Sequence, residues 1–167
     1  MYIEHLSLKN FRNYSGEEFS FIPQTNILYG ENAQGKTNAL EALYLFSIGK
    51  SFRTAQDREL IRFGEELARA ELTFSDAKRR QKIEIILRRD RKKQIKINGV
   101  VIHKLSELVG KINVVLFCPE ELGLVKDGPN VRRRFLDIAL SQLRPNYYHL
   151  LGLYNKVLDQ RNHLIKK

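Results

Sequence analysis

Residues 30–37 read Gly30-Glu31-Asn32-Ala33-Gln34-Gly35-Lys36-Thr37. They fit the pattern Gly-x-x-x-x-Gly-Lys-Thr, in which glycines let the backbone turn sharply and come close to an anion. The loop amides and the N-terminus of the following helix then point at phosphate groups. From average residue frequencies, this pattern occurs by chance in fewer than about 1% of chains of this length. We therefore predict a phosphate-binding loop, the P-loop, at residues 30–37.

Two side chains of the P-loop have distinct predicted roles. Lys36 neutralises the charge of the β- and γ-phosphates, and the Thr37 hydroxyl binds Mg²⁺. The predicted ligand is therefore ATP with Mg²⁺. The predicted nucleotide-binding residues are Gly30, Glu31, Asn32, Ala33, Gln34, Gly35, Lys36, Thr37 and Asn38.

The segments on either side of the P-loop fit this prediction. Residues 25–29 form a short apolar run that predicts a buried strand. From Lys36 the period becomes helical, with Leu40, Leu43, Tyr44 and Ser47 on one face, and Gly49 ends the helix.

The rest of the chain predicts an α/β protein with much antiparallel sheet. Asn98-Gly99 is a strong hairpin signal, because both residues tolerate positive φ. Pro129 or Asn130 begins a helix, and Pro145 separates it from a last helix. The predicted strands are 2–11, 17–22, 67–75, 81–88, 94–98, 100–103 and 112–117. Short helical segments are predicted within 50–63, within 104–110 and from Pro119, and longer helices over about 129–143 and 146–167.

Composition indicates a soluble globular protein. Hydrophobic residues make up 43% of the 167 residues and charged residues 29%. The longest apolar runs have five residues, too few for a membrane-spanning helix. The single cysteine, Cys118, allows no internal disulfide, and the four histidines show no zinc-ligand spacing. These features predict a cytoplasmic protein.

The net charge of +10 indicates a polyanionic partner, and nucleic acid is the usual one. Basic residues are dense over 78–96, and Arg132, Arg133 and Arg134 open a helix. Contacts to DNA phosphates explain this density, and a solvated sheet edge that uses Lys and Arg against aggregation is the alternative. The predicted DNA contacts are Lys50, Arg53, Arg79, Arg80, Arg89, Arg91, Lys92 and Lys93.

Seven segments of the sequence form a further pattern that spans essentially the entire chain. They are residues 6–14 (LSLKNFRNY), 30–42 (GENAQGKTNALEA), 50–54 (KSFRT), 60–64 (LIRFG), 116–122 (LFCPEEL), 124–126 (LVK) and 132–137 (RRRFLD). Together they resemble the RecF family, within the RecF and SMC group of DNA-repair ATPases.

The resemblance implies an ABC-type P-loop ATPase head lobe with mixed and antiparallel sheet over residues 1–128. The start of a helical second domain follows over 129–167. It implies ATP-dependent head-to-tail dimerisation, binding to gapped or junction DNA, a role in placing RecA there, and RecR and RecO as partners. It also places Arg12 and Asn13 near the adenine or the phosphates; a plain surface turn is the alternative.

The chain departs from the full family pattern. It has no Walker B strand ending in Asp-Glu and no Ser-Gly-Gly-Gln-type signature segment, and its last helix has no stop signal. We therefore expect an N-terminal fragment that binds ATP weakly and hydrolyses almost none, because hydrolysis needs those groups. Glu120 stands where SMC proteins carry a Gln. A transporter ATPase subunit, a small-molecule kinase or a non-enzymatic binding module remain alternatives.

Overall fold

The structure is a computed structural model, and it describes residues 1–76, 79–118 and 128–165. The strands are β1 (Tyr2–Phe11), β2 (Tyr14–Ser20), β3 (Leu67–Ser75), β4 (Arg80–Arg88), β5 (Gln94–Ile97) and β6 (Val100–Ile102). The helices are α1 (Lys36–Ile48), α2 (Pro129–Leu143) and α3 (Pro145–Ile165), with short 3₁₀ helices at Asp57–Leu60 and Leu105–Glu107.

The strands form one sheet in the order β2-β1-β3-β4-β5-β6, and each neighbouring pair is antiparallel. Side chains alternate across it, so that Leu72 of β3 and Ile83 of β4 lie opposite each other and are fully buried. Helix α1 covers this buried face with Ala42, Leu45 and Phe46. The core of the molecule therefore lies between α1 and the sheet.

The opposite face of the sheet carries ion pairs within β3 and between neighbouring strands. Arg69 of β3 contacts Glu71 at 2.6 Å and Glu84 at 2.7 Å. Lys82 pairs with Glu71, and Lys96 contacts Glu84 at 3.2 Å. This face is polar because cross-strand pairs of opposite charge stabilise an antiparallel sheet that has one side open to water.

Most of the predicted elements are confirmed. The Asn98-Gly99 hairpin has φ of 50° and 84° at its two turn residues, as a two-residue turn of this type requires. Helix α2 begins at Pro129, and the 50–63 region contains a 3₁₀ turn. Strand β2 begins at Tyr14, earlier than the predicted residue 17, because the turn from β1 lies at Arg12 and Asn13.

Two predicted buried strands, residues 25–29 and 112–117, are wrong. No described strand lies beside either segment, so Ile27 is 79% exposed and Val115 is 89% exposed. Val114 instead bonds to a side chain: its N–H donates to Gln142 Oε1 at 2.7 Å, and its carbonyl accepts from Gln142 Nε2 at 3.1 Å. An apolar run reveals a preference for burial, but a strand also needs a backbone partner.

The face of α1 that carries Leu40, Leu43, Tyr44 and Ser47 is only partly buried. Leu40 is 42% exposed, whereas Ala39, Glu41 and Ala42 are fully buried. Apolar residues lie on nearly every side of this helix, so periodicity alone does not select the face that contacts the sheet. The helix predicted from Pro119, the residue Glu120 and the basic residue Lys78 lie outside the described residues. Within the described ranges, no helix combines the length and the apolar character needed to cross a membrane.

Candidate functional site

The backbone of the P-loop adopts conformations that glycine favours. Gly30 has φ of 146° and Gly35 has φ of 112°. A Cβ atom on Gly35 would lie 2.6 Å from the Tyr14 hydroxyl oxygen and 2.9 Å from Asn13 Oδ1. Gly35 is therefore required both for its backbone angle and for the close approach of the β1–β2 turn.

The charge of Lys36 lies inside the P-loop. Its Nζ donates to the carbonyl oxygens of Gly30 at 2.7 Å and Glu31 at 2.5 Å. At the N-terminus of α1 no side chain caps the backbone amides, and the first turn carries no acidic residue. Free amides at a positive helix end, together with an ammonium group held at the loop carbonyls, form the donor set that binds phosphate. The residues present thus fit the phosphates of a nucleotide.

The β1–β2 turn lies against the P-loop. Asn38 Nδ2 donates to Asn13 Oδ1 at 2.8 Å, and Asn13 Nδ2 donates to the Ala33 carbonyl at 3.4 Å. Arg12 has φ of 53°, which turns its side chain away from the loop and toward α1. The structure therefore brings Asn13 to the P-loop directly and Arg12 to the side of the helix that follows it.

Glu41 of α1 is fully buried and organises this region. Its carboxylate forms a bidentate pair with Arg12, through Nε at 2.9 Å and a terminal guanidinium nitrogen at 2.7 Å. The Ser51 hydroxyl donates to the same carboxylate at 2.5 Å, and Arg53 contacts it at 3.5 Å. The carboxylate holds the β1–β2 turn and the 50–54 loop to α1, because Arg12 belongs to that turn and Ser51 and Arg53 belong to that loop.

The sequence reasoning missed Glu41. A signal was present, since Glu41 is the only acidic residue in α1, a helix with many apolar residues. A lone carboxylate in such a helix predicts a buried ion pair.

Arg53 also connects the 50–54 loop to the first turn of α1. Its guanidinium donates to Asn38 Oδ1 at 2.9 Å, and its backbone N–H donates to the Ser51 hydroxyl at 2.9 Å. Asn38 contacts Asn13 in turn, so a chain of hydrogen bonds runs from Arg53 to the P-loop. Among the predicted DNA contacts, Arg53 is therefore one that hydrogen bonds connect to the predicted nucleotide-binding residues.

The predicted DNA contacts fall into two groups at opposite ends of the sheet. Arg79 and Arg80 lie at the β3–β4 end, and Arg80 is paired with Glu4 at 2.7 Å. Residues 89–93 follow the other end of β4, which spans nine residues and hence about 27 Å. The predicted DNA contacts therefore do not all lie on one surface.

Lys50, Arg53 and Lys93 share one cavity of ≈ 460 Å³ with Arg134. Acidic residues pair with some of the basic residues at this end: Lys93 contacts Asp57, which is distant in sequence, at 2.9 Å, and Arg91 contacts the adjacent Asp90 at 3.3 Å. Arg89 donates to the Glu65 carbonyl at 2.7 Å and keeps its charge. We call the surface formed by Lys50, Arg53, Arg89, Arg91, Lys92 and Lys93 the basic end of the sheet.

Comparison with known proteins identifies the family. Residues 2–123 match the RecF/RecN/SMC N terminal domain. The chain belongs to this family. It is 48% identical over all 167 residues to the DNA replication and repair protein RecF of Halalkalibacterium halodurans, of which it covers 45%. It is 46% identical over 166 residues to the protein of the same name from Alkaliphilus oremlandii, of which it covers 46%. The chain thus spans less than half the length of these RecF relatives.

A solved structure described as the recombination mediator protein RecF-ATPrS in the RecFOR pathway superimposes with a TM-score of 0.93 and 38% identity. The match covers 99% of this chain and 45% of that one. The predicted resemblance to RecF and the predicted head-lobe fold are confirmed.

Proposed function

We propose that this chain is the ATP-binding part of a RecF-type DNA-repair protein and binds Mg²⁺-ATP at residues 30–38. One observation carries the proposal. The Lys36 ammonium group lies within a glycine-rich loop whose following helix has an uncapped N-terminus. Two of the similar solved structures are described as RecF-ATPrS and RecF-ATP, and these descriptions support ATP as the ligand.

The proposed roles follow from the positions of the residues. Lys36 neutralises phosphate charge, and the amides of residues 30–38 donate to phosphate oxygens. Thr37 supplies one hydroxyl ligand to Mg²⁺, which otherwise takes phosphate and water oxygens. Asn13 and Arg12 position the β1–β2 turn against the loop.

For the whole protein we propose an ABC-type ATPase that binds gapped or junction DNA, dimerises on ATP and works with RecR and RecO to place RecA. Residues 1–128 are then the head lobe, and residues 129–167 begin a helical domain. The chain carries no Walker B carboxylate pair. We therefore expect it to bind ATP weakly with almost no hydrolysis, since no group positions the attacking water.

Calorimetric titration with Mg²⁺-ATP tests the proposed site, with AMP as the matched ligand that lacks the β- and γ-phosphates. We expect saturable binding of one ATP per chain and no measurable AMP binding at the same concentrations. The P-loop contacts the phosphates that AMP lacks, so the difference reports on the loop itself. Equal binding of ATP and AMP would show that the loop does not hold the phosphates.

We also propose that DNA phosphates contact the basic end of the sheet. In the described part of the chain, the side chains of Lys50 and Lys92 have no acidic partner, whereas Arg80 at the opposite end is paired with Glu4. Unpaired cations attract phosphate without losing an existing ion pair. The side chains of this end therefore supply affinity that does not depend on DNA sequence.

Two double variants of equal charge test this surface. Lys50→Ala with Lys92→Ala is expected to weaken DNA binding about 10-fold at 0.1 M salt and to reduce the salt slope by about 2. Arg79→Ala with Arg80→Ala removes the same charge at the far end and is expected to change both quantities much less. Fluorescence anisotropy with a gapped duplex at several salt concentrations measures both, and equal losses in the two variants would contradict the assignment.

A further inference from the structure

The cavity of ≈ 460 Å³ at the basic end of the sheet is lined by four cations and one carboxylate. The cations are Lys50, Arg53, Lys93 and Arg134, and the carboxylate belongs to Asp57. They come from the loop after α1, from the residue before β5 and from α2. The fold thus gathers like charges from distant parts of the sequence around one concavity, and a bound anion relieves their mutual repulsion.

Two of these cations are free of competing partners. In the described part of the chain, Lys50 and Arg134 form neither a hydrogen bond nor an ion pair through their side chains, and both are exposed. The neighbour of Arg134 differs, because Arg133 donates to Asn130 Oδ1 at 3.2 Å. Lys50 and Arg134 therefore attract an anion without breaking an interaction that the fold uses.

Lys93 places a third positive charge deeper in the same cavity. Its side chain is only 13% exposed and contacts Asp57 at 2.9 Å, which uses one of the three donors of the ammonium group. Phe52 adds an apolar wall and packs edge-to-face on Tyr44, with ring centroids 5.5 Å apart. An apolar wall beside cations lowers the local dielectric constant and strengthens their attraction for an anion. A ligand therefore gains most if its charge enters the cavity.

The phosphate at the end of a DNA strand meets this requirement better than an internal phosphate. An internal phosphodiester continues into a sugar on both sides, so it stays on the surface of the protein and brings one negative charge. A terminal phosphate monoester is attached on one side only. It brings three acceptor oxygens and a charge of about −1.5 to −2 at pH 7. Such a group can contact several cations of one concavity at the same time.

We propose that this cavity binds the terminal phosphate monoester of a DNA strand, with Lys50 and Arg134 at its mouth and Lys93 deeper inside. The proposal rests on the DNA contact proposed above for the basic end of the sheet. Surface cations supply affinity for any DNA, whereas the cavity adds affinity for a strand end. No residue of the P-loop lines this cavity, so the site is distinct from the proposed ATP site.

Three oligonucleotides of one sequence test the proposal. One carries a 5′-phosphate, one a 3′-phosphate and one a hydroxyl group at both ends, and each has an internal fluorophore. Fluorescence anisotropy at about 0.1 M salt measures their affinities for the chain. We expect at least one phosphate-ended strand to bind about 10-fold more tightly than the hydroxyl-ended strand. The end that is preferred shows which terminus enters the cavity.

Two single variants locate the site through the ratio of these affinities. Arg134→Ala is expected to lower the ratio from about 10 to about 3, because one cation of the cavity is lost. Arg133→Ala removes the same charge from an adjacent residue that does not line the cavity, and the ratio is expected to stay at about 10. The ratio compares two ligands on the same variant, so a smaller folded fraction does not change it.

Four results would overturn the proposal in distinguishable ways. Equal binding of the three oligonucleotides removes the strand-end site and leaves the proposed DNA contact in place. An undiminished ratio in Arg134→Ala places the strand end outside this cavity. Loss of the ratio in Lys36→Ala assigns the strand end to the P-loop. Failure of the unaltered chain to bind any of the three removes the proposed DNA contact itself, and the strand-end site with it.

Discussion

Lys36→Ala is expected to lower Mg²⁺-ATP affinity roughly 100-fold, which corresponds to about 3 kcal/mol. The Lys36 ammonium group already lies within hydrogen-bond distance of the Gly30 and Glu31 carbonyls, so it is positioned inside the loop before any phosphate arrives. Each charge-assisted hydrogen bond to phosphate contributes about 1.5–3 kcal/mol, and alanine removes all of those that Lys36 makes. Calorimetric titration with Mg²⁺-ATP measures the loss.

The same substitution is expected to leave stability nearly unchanged. Gly30 and Glu31 are exposed, so water replaces the lysine at their carbonyls, and the change in unfolding free energy stays within about 0.5 kcal/mol. Lys111→Ala removes an exposed lysine elsewhere and is the matched control for net charge. An affinity loss in Lys36→Ala no larger than that in Lys111→Ala would mean that Lys36 does not contact the phosphates.

Glu41→Ala is expected to destabilise the chain by about 3 kcal/mol. The substitution removes a fully buried carboxylate and leaves Arg12, whose side chain is only 20% exposed, without its bidentate partner. The Ser51 hydroxyl loses its acceptor as well. Breaking a buried ion pair from one side is costly because the remaining charge stays out of water. The midpoint of urea unfolding measures the effect.

Two further variants show whether charge or space causes that loss. Glu41→Gln keeps the size of the side chain and one acceptor oxygen, so we expect roughly half the destabilisation. Glu18→Ala is the matched control, because the Glu18 side chain is 73% exposed and reaches only His5 at 3.7 Å. We expect it to change the unfolding free energy by less than about 0.5 kcal/mol. A Glu41→Ala effect as small as this one would show that the pair with Arg12 contributes no net stability.

Local sequence signals predicted the parts of the molecule that local interactions determine. The near-alternation of apolar and polar residues predicted β1, the Asn98-Gly99 pair predicted its hairpin, and Pro129 or Asn130 was the predicted start of α2. The P-loop was predicted because glycine spacing and one lysine define its chemistry within eight residues. In each case the residues that decide the structure are neighbours in sequence.

The remaining features depend on residues that are distant in sequence. The density of basic residues over 78–96 suggested contacts to DNA phosphates or a solvated sheet edge, yet Glu71 and Asp57, from outside that segment, pair with Lys82 and Lys93. The partner of Glu41, Arg12, lies 29 residues away, so the sequence shows a lone carboxylate in α1 but not the residue that it binds. Strand pairing is likewise a long-range property, and for this reason the predictions for residues 25–29 and 112–117 were wrong.

The exposed segment at residues 25–29 leads directly into the P-loop and has local support only. The side chain of Asn26 donates to the carbonyls of Ile22 and Gln24 at 3.0 Å each, and no described strand flanks the segment. The free energy that is needed to order the loop backbone reduces the free energy of phosphate binding. Each 1.4 kcal/mol of this ordering cost lowers the affinity about tenfold. We therefore expect this ordering cost to reduce the affinity of the chain for ATP. Any partner that adds a backbone neighbour to residues 25–29 would raise it without touching the nucleotide.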